Sequence, residues 1–298
     1  MNRGLADSFT PERTRGLLET LCRSVGLDPT SAALLRHQTN AVYKLDKDDV
    51  IVKIARPDYS LEDIRRSVSL TQWLMTLNFP TVPVLAIQQP VVTQGIAATF
   101  WRYLPQSRTI AADNIAPPLR MLHELPLPPF AMPQIDAIPA IRYSLDNEQI
   151  LNSDDHAFLA ERCETLSASL ADLQYNTQPC LLHGDPQHRN TLWSERGPVL
   201  CDWESAAIGH REWDLITIEV HCRRFGHPEG DYREFCRLYG RDIREWPGYS
   251  VLRDVRELRM ITTNARKSPL GSRGADEVHQ RVSQLRTGAS PEEPWSIL

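Results

Sequence analysis

The chain has 298 residues, 41% of them hydrophobic and 24% charged, with a formal net charge of −5. This length is long for one core and suits two lobes of ordinary domain size, and the apolar fraction is that of a folded protein with a packed interior. The acidic balance argues against wholesale binding to nucleic acid or to an anionic membrane, and no window of about 18 uninterrupted apolar residues predicts a transmembrane helix. The first twenty residues are charged throughout and lack the apolar run of a secretory signal, so a cytoplasmic protein is expected. Cys22, Cys163, Cys180, Cys201, Cys222 and Cys236 show no C-x-x-C pair and no metal spacing. Reduced, buried thiols are expected.

In chain order, Thr10-Pro11-Glu12 predicts a helix start: a capping hydroxyl, a proline whose missing N–H matters least there, and an acid in the first turn. Leu17, Leu21 and Val25 continue that helix and Gly26 stops it. Ala41–Leu45 and Val50–Ala55 flank an acidic turn and read as a hairpin, with Val50, Val52 and Ile54 on one face and Ile51, Lys53 and Ala55 on the other. A helix is predicted from Leu61, through Ile64, Val68 and Met75, to about Asn78. Two short strands are expected near Val82–Ile87 and Ala97–Tyr103, closing an α+β lobe over residues 1–104.

After Leu104-Pro105 apolar residues recur mainly at helical spacing. Ala116–Leu125 predicts a helix, the proline-rich segment 125–139 a loop, and Asn152-Ser153 the start of a strong helix carrying Leu159, Cys163, Leu166, Leu170 and Leu173. Further helices are marked by Val251, Val255 and Leu258 and by Val278, Val282 and Leu285. Residues 105–298 therefore form a larger, mostly helical lobe, and a ligand is expected in the cleft between the lobes.

Within the second lobe lies the stretch richest in chemistry, Cys180 to Asp214. An apolar run ends in His183-Gly184-Asp185, Asn190 follows, a second apolar run delivers Asp202-Trp203-Glu204, and Asp214 stands twelve positions later. Short strands ending in carboxylates, with an amide between them, converge hard oxygen ligands as a magnesium–nucleotide site requires.

The order of a strand lysine, a helix, a Leu-Pro exit, a long helix, His-Gly-Asp with Asn five positions on, and an apolar run into Asp-Trp-Glu resembles the aminoglycoside phosphotransferase and choline kinase group of protein-kinase-like small-molecule kinases. The resemblance covers roughly residues 38 to 220. It implies a bilobal protein-kinase-like α+β fold and transfer of the γ-phosphate of ATP or GTP to a hydroxyl of a small molecule such as an aminoglycoside, a sugar or amino sugar, or an amino alcohol. It implies that Asp185 receives the acceptor hydroxyl, that Asn190 and Asp202 hold Mg2+, that Lys53 and Asn40 contact the phosphates, and that His183 and Asp214 brace the loop. Glu204 is either an acid near the metal or an exposed turn residue.

Each residue also has a plainly structural reading: a turn for Asp185 and Asn190, a helix cap for Asp202 or Asp214, a solvated edge for Lys53. The sequence departs from the group in three places. The loop reads Pro186-Gln187-His188-Arg189 before Asn190, the segment 38–41 contains no glycine, and Ser67 stands where a glutamate partner for Lys53 is expected. These departures leave open a nucleotide-binding pseudokinase with a regulatory role, and the acid set leaves open a metal-dependent hydrolase using His183. Residues after Asp214, with Glu219, His221, Arg223, Arg224, Asp254 and Glu257, carry both signs, whereas a cationic aminoglycoside calls for an acidic pocket. No protein partner is implied beyond a monomer or a homodimer.

Overall fold

The computed structural model describes residues 9–38 and 40–298. Residues 1–8, part of the stretch read as lacking a secretory signal, and Thr39, in the glycine-free segment, lie outside the described residues. The fold is bilobal and α+β, with a small β-rich lobe and a larger, mostly helical one. The chain divides into two compact units, Met1–Ile110 with Arg189–Ala206, and Ala111–His188 with Ala207–Leu298.

The first unit opens with α1 (Pro11–Ser24), capped by Thr10, whose hydroxyl accepts from the Arg13 N–H. Five strands follow the order β1-β2-β3-β5-β4: β1 (Ala33–His37), β2 (Asn40–Leu45), β3 (Val50–Ala55), β4 (Val91–Thr93) and β5 (Ile96–Arg102). The β2–β3 hairpin pairs Leu45 with Val50, and β3 then pairs antiparallel with β5, setting Lys53 opposite Thr99. The alternation anticipated for β3 holds. Val50, Val52 and Ile54 are buried beneath Leu17, Leu18 and Leu21 of α1, each such side chain contributing about 1.5–3 kcal/mol of apolar burial. Lys53 is thereby on the opposite face, the side taken by α2 (Leu61–Thr76), where Val68 packs with Val84 and Trp101.

One expected strand is absent. Residues 82–87 form only an isolated bridge, Val84 to Trp101, because Pro83 has no N–H to give a ladder; its carbonyl still accepts from the Arg102 N–H at 2.9 Å. The short hairpin of β7 (Thr191–Ser194) and β8 (Gly197–Leu200) belongs to this unit, with Thr191 opposite Leu200.

The second unit holds α3 (Ala112–Glu124), α4 (Ala137–Asp146), α5 (Ser153–Ala171), α6 (Glu212–Arg224), α7 (Glu229–Tyr239), α8 (Tyr249–Lys267) and α9 (Arg273–Thr287), with the strand pair β6 (Cys180–Leu182) and β9 (Ala207–Gly209). The segment 125–139 is irregular only as far as Asp136, which caps α4 by accepting from the Ile138 N–H. α6 is buried on nearly every side, α3 packs on α7, and α4 on α8. A buried ion network ties α6 to α8. Glu257 receives Arg224 at 2.8 and 2.9 Å and Arg223 at 2.8 Å, and Arg223 also holds Glu219 at 2.8 Å. The carbonyls of Pro291 and Glu293 accept from Arg223 and Arg224 respectively. All six cysteines are free thiols, and burial pushes those of Cys180 and Cys201 up to about 12. Among the described residues no helix is long and apolar enough to cross a membrane.

Candidate active site

The candidate residues fall into two clusters, one in each unit, because the chain leaves the second unit after His188 and enters the first at Arg189. In the first unit Lys53 donates to Asp202 at 2.6 Å and lies 3.4 Å from Glu204, joining residues 149 and 151 positions apart. Asp202 directs this convergence. It occupies the left-handed region (φ 71°, ψ 61°), which aspartate tolerates better than most residues, and turns the end of β8 into a single 3-10 turn, Trp203–Ser205. Trp203 anchors that turn: its indole N–H donates to the Thr81 hydroxyl at 2.9 Å, and Thr81 donates in turn to the Leu200 carbonyl at 3.1 Å.

Charge in this cluster is strongly perturbed. Burial works to lower the Lys53 ammonium, but Asp202 and Glu204 outweigh it and raise its pKa well above the ordinary lysine range. Burial likewise works to raise Asp202, yet Lys53 holds it below the usual carboxylate range. Glu204 moves upward, through burial and then the charge of Asp202 beside it, against the pull of Lys53. Lys53 and Asp202 keep 17% and 25% of their side-chain surface open, so the pair remains within reach of a ligand.

Ser67, at the position where a glutamate is expected, is 7% exposed and lines a cavity of about 20 Å3 with Lys53, Asn40, Thr99 and Glu204. The carboxylates holding Lys53 come instead from the turn after β8. Asn190 is buried at the end of the 3-10 turn His188–Asn190, and its carbonyl accepts from the Cys201 N–H at 2.9 Å. The β7–β8 register thus fixes Asn190 and Asp202 at the open ends of one hairpin. An amide oxygen and a carboxylate held ionised by Lys53 are the hard donors that Mg2+ takes, so these residues fit that ion.

In the second unit the His183–Asp185 loop is held from α6. Asp214 accepts the backbone N–H of His183 at 2.8 Å and of Gly184 at 2.9 Å, and His123 bonds it through Nε2 at 3.0 Å. Because a carboxylate only accepts, His123 donates from Nε2 and takes the Tyr239 hydroxyl at Nδ1, 2.7 Å away. Asp214 lies within the first turn of α6, whose N-cap is Arg211, so the helix-cap reading of Asp214 is replaced by this bracing contact. Gly184 adopts φ +82°, where a side chain would be strained, and its carbonyl accepts from the Trp213 indole at 3.1 Å. His183 is fully buried, with Nδ1 3.4 Å from the Asp185 N–H.

Asp185 itself accepts from Gln187 at 2.7 Å and from Arg256 at 2.6 Å. Burial works to raise its pKa, but the charge of Arg256 outweighs that and lowers it. Arg256 and His123 are the site residues that sequence reasoning missed. Neither belongs to a local motif; the available signal was an arginine embedded among the apolar positions of the helix marked by Val255 and Leu258. The three acids singled out after Asp214 are committed: Glu219 and Glu257 to the α6–α8 network, and Asp254 to Arg162 at 2.8 Å and Arg253 at 2.7 Å. Among the described residues no group of three or more His, Cys, Asp or Glu side chains could hold a metal, as a hydrolase built on His183 would need.

A family model described as the phosphotransferase enzyme family (APH) matches residues 32–253, most of the chain. The protein belongs to this family, and is a small-molecule kinase with a hydroxyl acceptor. Among solved structures it is similar to amicoumacin kinase hAmiN in complex with AMP-PNP, Ca2+ and Ami, at 12% identity and TM-score 0.76, covering 99% of this chain and 98% of that one. It is also similar to choline kinase LicA from Streptococcus pneumoniae, at 18% identity and TM-score 0.68 over 92% and 99% of the two chains. Spectinomycin phosphotransferase APH(9)-Ia with ADP and spectinomycin gives 14% identity and TM-score 0.63 over 95% and 97%. No curated protein sequence matches the chain.

Proposed function

We propose that this kinase transfers the γ-phosphoryl group of ATP or GTP to an alcohol of a small metabolite, with Asp185 orienting the acceptor hydroxyl. The observation that carries the reading is the 2.6 Å pair of Lys53 and Asp202, which sets a phosphate-binding cation beside a carboxylate suited to a metal. AMP-PNP and ADP in two of the similar structures support a nucleoside triphosphate as co-substrate.

Phosphoryl transfer asks the protein mainly for alignment and charge neutralisation. Lys53 meets the α/β-phosphates, Asn40 lies in the same cavity, and Asn190 and Asp202 would hold Mg2+. The chemistry such an ion would supply there is neutralisation of phosphate charge. Asp185 stays ionised at neutral pH and is a weak base, so it acts by aiming the hydroxyl oxygen at the γ-phosphorus and takes the proton as the new P–O bond forms. The bond from the γ-phosphorus to the bridging oxygen breaks, and the nucleoside diphosphate leaves with that electron pair. Asp214, His183 and His123 keep the loop in place, and Glu204 fixes the Lys53 ammonium where the Ser67 position cannot.

The test is ADP or GDP release with Mg-ATP and Mg-GTP against a panel of hydroxylated acids, sugars, amino sugars and amino alcohols. Acceptor-dependent release that Asp185→Asn abolishes is expected. Nucleotide binding with no acceptor-dependent release across a broad panel would instead leave a pseudokinase.

A further inference from the structure

Two guanidiniums of α8 crowd the loop that carries Asp185. Arg256 and Arg259 are three residues apart on one helix face, and their guanidinium carbons lie 5.7 and 5.1 Å from the ring centre of Trp213. Trp213 is itself bonded to Gly184, so both cations stand at the loop's edge. Arg256 is only 6% exposed and spends Nη2 on Asp185, while its buried Nε has no hydrogen-bond partner among the described residues. The same holds for the buried Nη1 of Arg259.

Two positive charges thus face one carboxylate. Arg259 registers the imbalance: burial, and then the charge of Arg256, push its pKa down to about 10. The neighbouring imidazole of His221, buried and lowered to about 3, is neutral and adds no compensating charge. Nearby acids do not help, because Glu219, Glu257 and Asp254 are each held by other arginines. Buried guanidinium N–H groups without acceptors form a planar donor set suited to a carboxylate or a phosphate.

We propose that the acceptor is an anionic alcohol, a hydroxy acid or a phosphorylated alcohol, whose acidic group is bound by Arg259 and the free edge of Arg256. The proposal rests on the reading of Asp185 as the residue that orients the acceptor hydroxyl. It also assigns a specificity role to the cations: an acceptor that carries an amine and no acidic group brings only like charge there and is rejected.

Binding can be read without turnover. Malonate and inorganic phosphate are titrated calorimetrically into the full chain, with choline as the cationic comparison. At least one anion is expected to bind more tightly than choline, and Arg259→Ala to weaken it tenfold or more, with Arg259→Lys intermediate. The tighter of the two anions identifies the acid class, and Lys53→Ala separates any phosphate bound at the nucleotide side. Choline binding better than both anions, or anion affinity indifferent to both Arg259 variants, overturns the proposal. If Arg259→Ala does not fold, Arg259→Lys decides alone: an affinity equal to that of the native chain rejects the arginine fork.

Turnover is a separate arm. L-serine is compared with ethanolamine, and glucosamine 6-phosphate with glucosamine, by ADP release in Mg-ATP, and the anionic member of a pair is expected to have the higher kcat/KM. A cationic member preferred in both pairs counts against the anion site. Anion binding that responds to Arg259, in a protein that phosphorylates nothing, leaves the anion site standing and removes the kinase reading instead.

Discussion

Around Lys53 one cation is shared by two carboxylates, Asp202 at 2.6 Å and Glu204 at 3.4 Å. Around Asp185 the signs are exchanged: one carboxylate takes Arg256 at 2.6 Å, and a second guanidinium, Arg259, shares the indole of Trp213. The first cluster gathers carboxyl oxygens about one cation and suits a metal ion. The second keeps positive charge in excess and suits an anion. The family motif names Asp202 and Glu204 in the first cluster and Asp185 in the second, but not the guanidiniums of Arg256 and Arg259 that surround Asp185, which come from outside the motif.

The largest change expected is from Asp185→Asn, which removes the shared acceptor of the second cluster. It should lower kcat by about 10²–10⁴-fold, the range of a lost general base, with nucleotide affinity little altered. A comparable loss of nucleotide affinity would mean that the two clusters do not divide their work in this way.

Next is Glu257→Ala. It strips the buried acid from Arg223 and Arg224 and should destabilise the fold by about 3–5 kcal/mol in denaturant unfolding. A loss below about 1 kcal/mol would show that the acids of α6 and α8 are not the committed partners that leave the second cluster positive.

Acid should weaken the second unit. His221 and His188 have pKa values lowered by burial to about 3 and about 4, so between those values and about 6.5 the unfolded chain binds more protons than the folded one. Stability therefore falls as pH drops from about 6.5 toward 4, by about 3 kcal/mol for each ring, and is flat in these groups above about 7. Unfolding midpoints between pH 4 and 8 check the slope. A midpoint rising on acidification would reverse the assignment of these rings as neutral.

The smallest effect belongs to Glu204→Gln. With Asp202 still on Lys53, it should reduce kcat/KM about tenfold, the scale of one charge-assisted hydrogen bond. A loss as large as that of Asp202→Ala would make Glu204 the main anchor of the lysine.

Much of this fold could be read from local pattern. The hairpin holding Lys53 was legible because alternation over Val50–Ala55 fixes which face each side chain takes, and the caps at Thr10 and Asn152 fixed two helix starts. β1 was not legible: its five residues are mostly exposed and carry no alternation. α4 was hidden by the prolines around its cap, and residues 82–87 look like a strand until Pro83 is counted against the ladder. α7 offered Tyr232, Phe235 and Tyr239 at helical spacing and was readable in principle.

In the candidate site, Asp185, Asn190 and Asp202 lie close enough in sequence for spacing to carry them. Arg256 lies 71 residues from the carboxylate it holds, and His123 is 91 from Asp214, so only tertiary packing brings them in. The cation surplus was invisible for the same reason. Formal charges after Asp214 look mixed until each acid is matched to its arginine.

The network on Glu257 has a mechanical consequence. A helix packed only by apolar side chains can roll about its axis by small amounts, since such contacts have little direction. Glu257 and Arg256 are neighbours on α8 and point about 100° apart. With Glu257 gripped by two arginines of α6, which are themselves tied to the Pro291 and Glu293 carbonyls, α8 is keyed like a shaft in its bearing. The direction in which Arg256 and Arg259 point is then set from a neighbouring face of the helix, by the ion network between α6 and α8. Variation in the segment around residues 291–293 is therefore expected to turn Arg256 and Arg259 through torque alone.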